Sequence, residues 1–284
     1  MHRISWRDIQ KQLDQALNLC RVLGLAELVE RSRFTVYRAE IVQLAEALER
    51  GGTEAARQAY DRVRHPIALA ESAELGEITP FLLTQDPNVL RPKLERILIG
   101  PPLPVDEDQN SNRGRNILFE LNLAARIAAG GIMPILGERP DLYCEIDGRC
   151  LMIECKRPTS LAGARKAIAK ARDQLRSILP KARAGTRGVI ALSVTKLMNQ
   201  GDKLFIYSGE ESGKARLDAE LDRQREALQG SWERVLHGKI IGMVWHVVTP
   251  AVDEEIPLPT VAQAMIVHGD GVMKQLLDLL QAKR

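Results

Sequence analysis

Aromatic side chains are scarce in this 284-residue chain: four Phe, four Tyr and three Trp. The shortage argues against a base-stacking platform of the single-strand-binder kind, which rests on repeated aromatic faces. Cysteine is just as thin, with four residues and no Cys-x-x-Cys pair. The histidines, at positions 2, 65, 237, 246 and 268, lack zinc-ligand spacing, so a structural zinc site fails. No apolar run approaches the ~20 residues of a membrane-spanning helix. The first residues, with Arg3, Trp6, Arg7 and Asp8, lack the apolar core of a signal peptide. The expectation is a cytoplasmic protein with no membrane partner. Charge of one sign is missing too: 40 basic against 37 acidic residues leave +3, which excludes a histone-like polycation.

What is present is unevenly spread. Residues 1 to about 99 carry helical periodicity over Ile4–Leu23, Phe34–Arg50, Thr53–Arg64 and Asn88–Leu98, punctuated by Gly51-Gly52, Pro66 and Asp86-Pro87. Arg31, Arg33 and Arg38 read as a solvated face of this region, and no repeat or helix-turn-helix pattern stands out. Gly100-Pro101-Pro102-Leu103-Pro104 is a stiff break followed by a polar stretch. The boundary falls there, with an all-helical N-terminal domain at 1–105 and a second domain at 106–284.

The second domain contains the densest signal. Asp147-Gly148, flanked by apolar alternation, specifies a two-residue hairpin loop. Counting outward pairs Ile146 with Arg149 and sets Asp141 opposite Glu154, with Lys156 on the same face by the period-two rule. The other face reads Leu142, Cys144, Ile146, Leu151, Ile153 and Cys155, an apolar set for a core. The register that buries this set gathers two carboxylates and one amine at the end of the hairpin. Close carboxylates repel unless a cation neutralises them, and hard oxygen donors suit Mg²⁺, with Mn²⁺ as substitute. Asp141 and Glu154 are the candidate ligands, and the Cys155 carbonyl is a third. Lys156 would position water or stabilise developing negative charge. Cys155 as a nucleophile is disfavoured because its side chain points to the core, and a Cys144–Cys150 disulfide is disfavoured because the two face opposite ways.

Pro140-Asp141 followed by Glu154-Cys155-Lys156 on the next strand resembles the PD-(D/E)XK nuclease superfamily, over roughly Ser111 to Val248. The resemblance implies the restriction-endonuclease-like fold, an α/β mixed sheet flanked by helices, and Mg²⁺-dependent hydrolysis of nucleic-acid phosphodiesters, with DNA as the expected partner. It also assigns an acid on the helix before the hairpin to the site. Arg113–Ala129 reads as that helix, and Glu120 lies on its apolar arc between Ala124 and Ile127.

Leu161–Leu179 reads as the next helix, with Leu161, Ala164, Ile168, Ala171, Leu175 and Ile178 as its buried stripe. From Lys156 to Arg187 there are ten Lys or Arg residues and one acid, Asp173, a balance suited to phosphate binding. Lys166 belongs to that basic face. In similar nucleases a Lys or Gln on this helix points to the site, which nominates Lys170 and Gln174. Arg187–Val194 is a short apolar run suited to a buried parallel strand. Further strands are expected at Lys239–Val248 and Thr260–Val267, a helix around Lys214–Leu236, a loop or hairpin at Asp202–Lys214, and a helix at Val272–Leu280. His246 reads as a core histidine. Cutting two strands would need two sites, so a homodimer is compatible with this reading. A non-catalytic nucleic-acid-binding or assembly module, or an enzyme acting on another phosphate, are the rival classes.

Overall fold

The computed structural model describes residues 6–61, 64–107, 111–199, 205–253 and 256–281. The chain is α/β and divides into two compact units. The first comprises Met1–Leu118, Asn199–Gly213 and Val248–Ala262, the second Phe119–Met198, Lys214–Val247 and Gln263–Arg284. The expected boundary near 105 falls inside the first unit, which also takes in two later segments.

The first unit is built on α1 (Trp6–Val22), α2 (Ala26–Arg31), α3 (Arg33–Ala59), α4 (Arg64–Leu82) and α5 (Pro87–Leu98). Amphipathic spacing directs Ile9, Leu13, Ala16, Leu17 and Cys20 of α1 inward, against α3 and α4. Gly51 and Gly52 break α3, and Gly52 holds φ 66, which a side chain would resist. Helix α4 departs from expectation. Pro66 does not interrupt the chain but sits in the first turn of a 19-residue helix, and most of α4 is buried whichever way it faces. A helix apolar all round has no 3.6-residue stripe to detect, yet that is the pattern a central helix requires.

Arg33 corrects a second expectation. It is not on a solvated face but almost fully buried, with its Nε donating to Glu71 Oε2 at 2.8 Å. Glu71 also pairs with Arg115 Nε at 2.5 Å, and Arg115 reaches Glu107 Oε1 at 2.7 Å and the Pro101 and Pro102 carbonyls at 3.1 and 3.0 Å. The two guanidiniums hold the Glu71 carboxyl below its ordinary value, outweighing the opposing effect of burial.

Helix α6 (Arg113–Ala129) has the expected limits. After it come β1 (Ile135–Leu136), β2 (Leu142–Ile146), β3 (Arg149–Lys156), α7 (Leu161–Ile178) and β4 (Arg187–Ser193). Then follow α8 (Thr195–Met198), β5 (Phe205–Tyr207), α9 (Glu210–Ala227), α10 (Gln229–Trp232), β6 (Ile240–Asp253), β7 (Ile256–Gly269) and α11 (Gly271–Gln281). The seven-stranded mixed sheet runs β1-β2-β3-β4-β6-β5, and β7 also pairs with β6. Strands β1, β2 and β3 are antiparallel, whereas β3, β4 and β6 run parallel. Strand β4 is therefore central, and its apolar run Val189–Leu192 is buried throughout. The expected loop after Asp202 contains β5 and the start of α9, while residues 200–204 lie outside the described set.

Candidate functional site

The hairpin forms in the expected register: Ile146 pairs with Arg149 and Leu142 with Ile153. Asp147 and Gly148 both take positive φ, 48° and 73°, the backbone a two-residue turn of type I′ demands. One further pair brings Asp141 level with Glu154. Upstream, Gly137 N–H donates to the Asp141 carbonyl at 2.9 Å. A side chain at Gly137 would collide with the Pro140 carbonyl, so this turn needs glycine. Leu142, Cys144, Ile146, Leu151 and Ile153 are buried as expected, and Cys155 is half-buried. All four cysteines are free.

Asp141, Glu154 and Lys156 converge. Lys156 Nζ donates to Glu154 Oε2 at 2.8 Å and to the Cys155 carbonyl at 3.1 Å, and lies 3.9 Å from Asp141 Oδ2. Asp141 Oδ2 accepts the Cys155 backbone N–H at 2.7 Å, which fixes the carboxylate against β3. The side chains of Asp141 and Lys156 are 20% and 16% exposed, whereas Glu154 is completely enclosed. That enclosure is a correction, since only the apolar face of the hairpin was expected to be buried.

Strand pairing explains it. Glu154 sits beside Ile190 and Lys156 beside Leu192, which in turn flank Met243 and Trp245. Gly188 shares this face by the period-two rule, and a Cβ there would meet Leu179 and Leu175 at 3.0 and 3.2 Å. Helix α7, followed directly by Leu179, therefore roofs the face that carries Glu154. The acid lies between a parallel sheet and a packed helix.

Burial raises the Glu154 carboxyl above its ordinary value. Lys156 opposes that rise, Asp141 adds to it, and Arg139 lowers it slightly. Glu154 Oε2 is held by the ammonium, but Oε1 is buried without any hydrogen-bond partner. An enclosed acceptor with no donor is uncommon in native proteins and calls for an explanation. A cation is one that the donor set fits, because Asp141 and Glu154 are hard oxygen ligands a few ångströms from a common ammonium. Among the described residues no three His, Cys, Asp or Glu side chains are grouped to hold a metal ion. Mg²⁺ does not require three, since it keeps several waters and uses one or two carboxylates with substrate phosphates. The Cys155 carbonyl, the third expected ligand, is taken up by Lys156 in this arrangement.

Glu120 is buried on α6, as its place on the apolar arc predicts. It arrives from the other side of the sheet. Phe119, its neighbour, stacks on His246 with ring centroids 4.9 Å apart, and His246 shares a face with Ser193 and Cys155. The charge of Glu120 reaches Cys155, whose thiol is pushed well above its ordinary value by burial first and then by Asp141 and Glu120.

On α7, Ala164, Ile168, Ala171 and Leu175 are buried, whereas Leu161, at the end of the expected stripe, is exposed. Arg165, Lys166, Lys170 and Arg176 are exposed on the outer side of the same helix. Gln174 is half-buried with its amide oxygen enclosed and without a donor. It makes no hydrogen bond to Asp141 or Glu154.

One neighbour was not nominated from the sequence. Tyr143 lies two residues after Asp141 on the same face, its phenol raised by burial and, to a smaller extent, by Cys150 and Glu154. Its hydroxyl donates to the Arg139 carbonyl at 3.2 Å. Extending the period-two count by one step from Asp141 identifies Tyr143. No protein-family model, no curated protein and no solved structure matches this chain.

Proposed function

We propose that the protein is a metal-dependent nuclease, hydrolysing phosphodiester bonds in DNA on a PD-(D/E)XK-type core. The observation that carries this reading is the convergence of Asp141, Glu154 and Lys156 at one end of a hairpin, with a Glu154 oxygen enclosed and lacking a donor. The large majority of buried polar atoms in native proteins have a partner, and this carboxylate keeps one oxygen that has none.

In this reading Asp141 and Glu154 would hold Mg²⁺ or Mn²⁺, and the ion would supply Lewis-acid activation of the phosphodiester. The remaining roles belong to the chain. The Cys155 N–H keeps Asp141 in one orientation, so little reorganisation accompanies binding. Enclosure beneath α7 fixes Glu154 and lowers the local dielectric, which strengthens each charge interaction there. Lys156 orients the attacking water or offsets the negative charge that grows on the phosphoryl group. Arg165, Lys166 and Lys170, exposed on the helix that follows the site, bind phosphates along the strand and set affinity without reading sequence. Glu120, the acid that the resemblance assigns to the site, is buried on α6 and is given no step in this reading.

The test is a cleavage screen over single-stranded, double-stranded, methylated and branched DNA, with Mg²⁺ and with Mn²⁺. The wild-type protein is expected to cut at least one substrate, and EDTA to stop it. Asp141→Ala and Lys156→Ala are expected to lower the rate by about 10²-fold or more. Unchanged cleavage by either purified variant would remove the assignment. Binding without cleavage across the whole screen would favour a non-catalytic DNA-binding module on the same fold.

A further inference from the structure

Lys156 does more in this arrangement than wait beside a reaction centre. Its ammonium touches Glu154 Oε2 at 2.8 Å and the Cys155 carbonyl at 3.1 Å, and stands 3.9 Å from Asp141 Oδ2. Those are the three groups that would ligate a cation. The ammonium thus occupies the centre of its own protein's donor set, and the set as it stands is already partly neutralised.

We propose that Lys156 is an internal counter-ion that competes with the divalent cation for Asp141 and Glu154, so that cation binding displaces its ammonium from Glu154. This rests on the reading of these carboxylates as a metal site and adds to it a built-in limit on cation affinity. The reasoning is electrostatic. Two unit charges of like sign a few ångströms apart repel by several kcal/mol even at an effective dielectric near 20. A divalent ion and the ammonium therefore cannot both sit against Glu154 without loss. One of them must move, and Lys156, on a flexible stem and 16% exposed, is the one able to leave. The Glu154 carboxylate stays, being enclosed between β3, β4 and α7. The orphaned Oε1 marks the part of the site the ammonium fails to satisfy. A phosphate-bearing substrate offers the displaced ammonium a new partner, which links loading of the site to arrival of substrate.

The measurement is Mn²⁺ affinity by titration calorimetry, in the absence of nucleic acid, for the wild-type chain, Lys156→Met and Lys156→Arg. Met preserves the stem and removes the charge, whereas Arg keeps it. The expected result is that Lys156→Met binds Mn²⁺ about tenfold more tightly than wild type, and Lys156→Arg does not. Thermal unfolding guards against a folding artefact: Lys156→Met should melt lower than wild type in EDTA and recover when Mn²⁺ is added. Equal or weaker Mn²⁺ binding by a folded Lys156→Met overturns the competition while leaving the metal site standing. Absence of Mn²⁺ binding in all three proteins overturns both.

Discussion

Two buried charge clusters, one in each unit, show how similar inventories serve different ends. In the first unit Arg33 and Arg115 face Glu71 and Glu107, two cations against two acids, and both Glu71 oxygens are held by guanidiniums. Backbone carbonyls of Ile97, Pro101 and Pro102 take up further donors. In the second unit Asp141 and Glu154 share a single ammonium, and one carboxylate oxygen goes unmet. The first cluster is balanced in charge and ties α3, α4 and α6 to the proline-rich segment. The second carries an excess of negative charge at a hairpin end that remains partly open at Asp141 and Lys156. Burial of charge alone does not separate the two, and neither does an unpaired atom, since Arg33 Nη2 is also buried without a partner. The excess of acids over cations is what sets the second cluster apart.

The comparison predicts unequal responses to mutation. Glu71→Ala leaves two buried guanidiniums without their shared acid and should cost about 3–5 kcal/mol, read as a lowered denaturant midpoint. Glu154→Gln, removing an acid that is already poorly satisfied, should cost no more than about 1 kcal/mol in the same experiment. Comparable losses at the two positions would show that the two clusters contribute equally to stability.

The next effect is in pH. The Glu154 carboxyl is raised by burial, so ionising it costs the folded state more than the unfolded chain. Its contribution is intact below the ordinary value of 4.5 and is lost as pH rises through the raised one. The stability of wild type relative to Glu154→Gln should therefore fall as pH climbs above about 4.5 in paired melts. A difference independent of pH would contradict the stated burial effect.

His246 works in the opposite direction. Gln263 Nε2 lies 2.8 Å from His246 Nε2 and donates to it, which puts the imidazole proton on Nδ1, 3.4 Å from Ser193 Oγ. Burial and the charges of Arg126 and Arg157 push this histidine well below its ordinary 6.5. The unfolded chain binds its proton first, so stability is full above 6.5 and declines as pH falls below it. His246→Gln should flatten that decline in thermal melts between pH 7.5 and 5, about the range over which histidine titrates. An unaltered slope would mean that other groups set the acid limit.

The smallest effect concerns the exposed face of α7. Lys166→Ala combined with Lys170→Ala should weaken DNA binding a few-fold and lower the salt slope by about 0.9 for each phosphate no longer neutralised. A slope unchanged from wild type would show that phosphates lie elsewhere.

How much of this was legible follows from what each segment had to satisfy. The hairpin was readable to the residue because Asp147-Gly148 needs positive φ and because a one-residue slip would invert Leu142, Cys144 and Ile153. The limits of α6 and the stripe of α7 came from periodicity against one packed face. Helix α4 was hidden because its burial is all-round, and Arg33 because its partners Glu71 and Ile97 lie 38 and 64 residues away. Strands β6 and β7 are longer than expected. Pro250, Pro257 and Pro259 look like strand ends in a sequence, yet all three fall inside strands. The enclosure of Glu154 depends on α7 crossing its face, a tertiary fact that no local pattern contains.

The most direct measurement is Mg²⁺-dependent cleavage of DNA by the wild-type chain beside Asp141→Asn, with circular dichroism establishing that both are folded. Cutting by wild type that EDTA abolishes, and its loss in the folded Asn variant, is the predicted result. Equal cutting by the two proteins, or none by wild type on any substrate with either metal, would contradict the account.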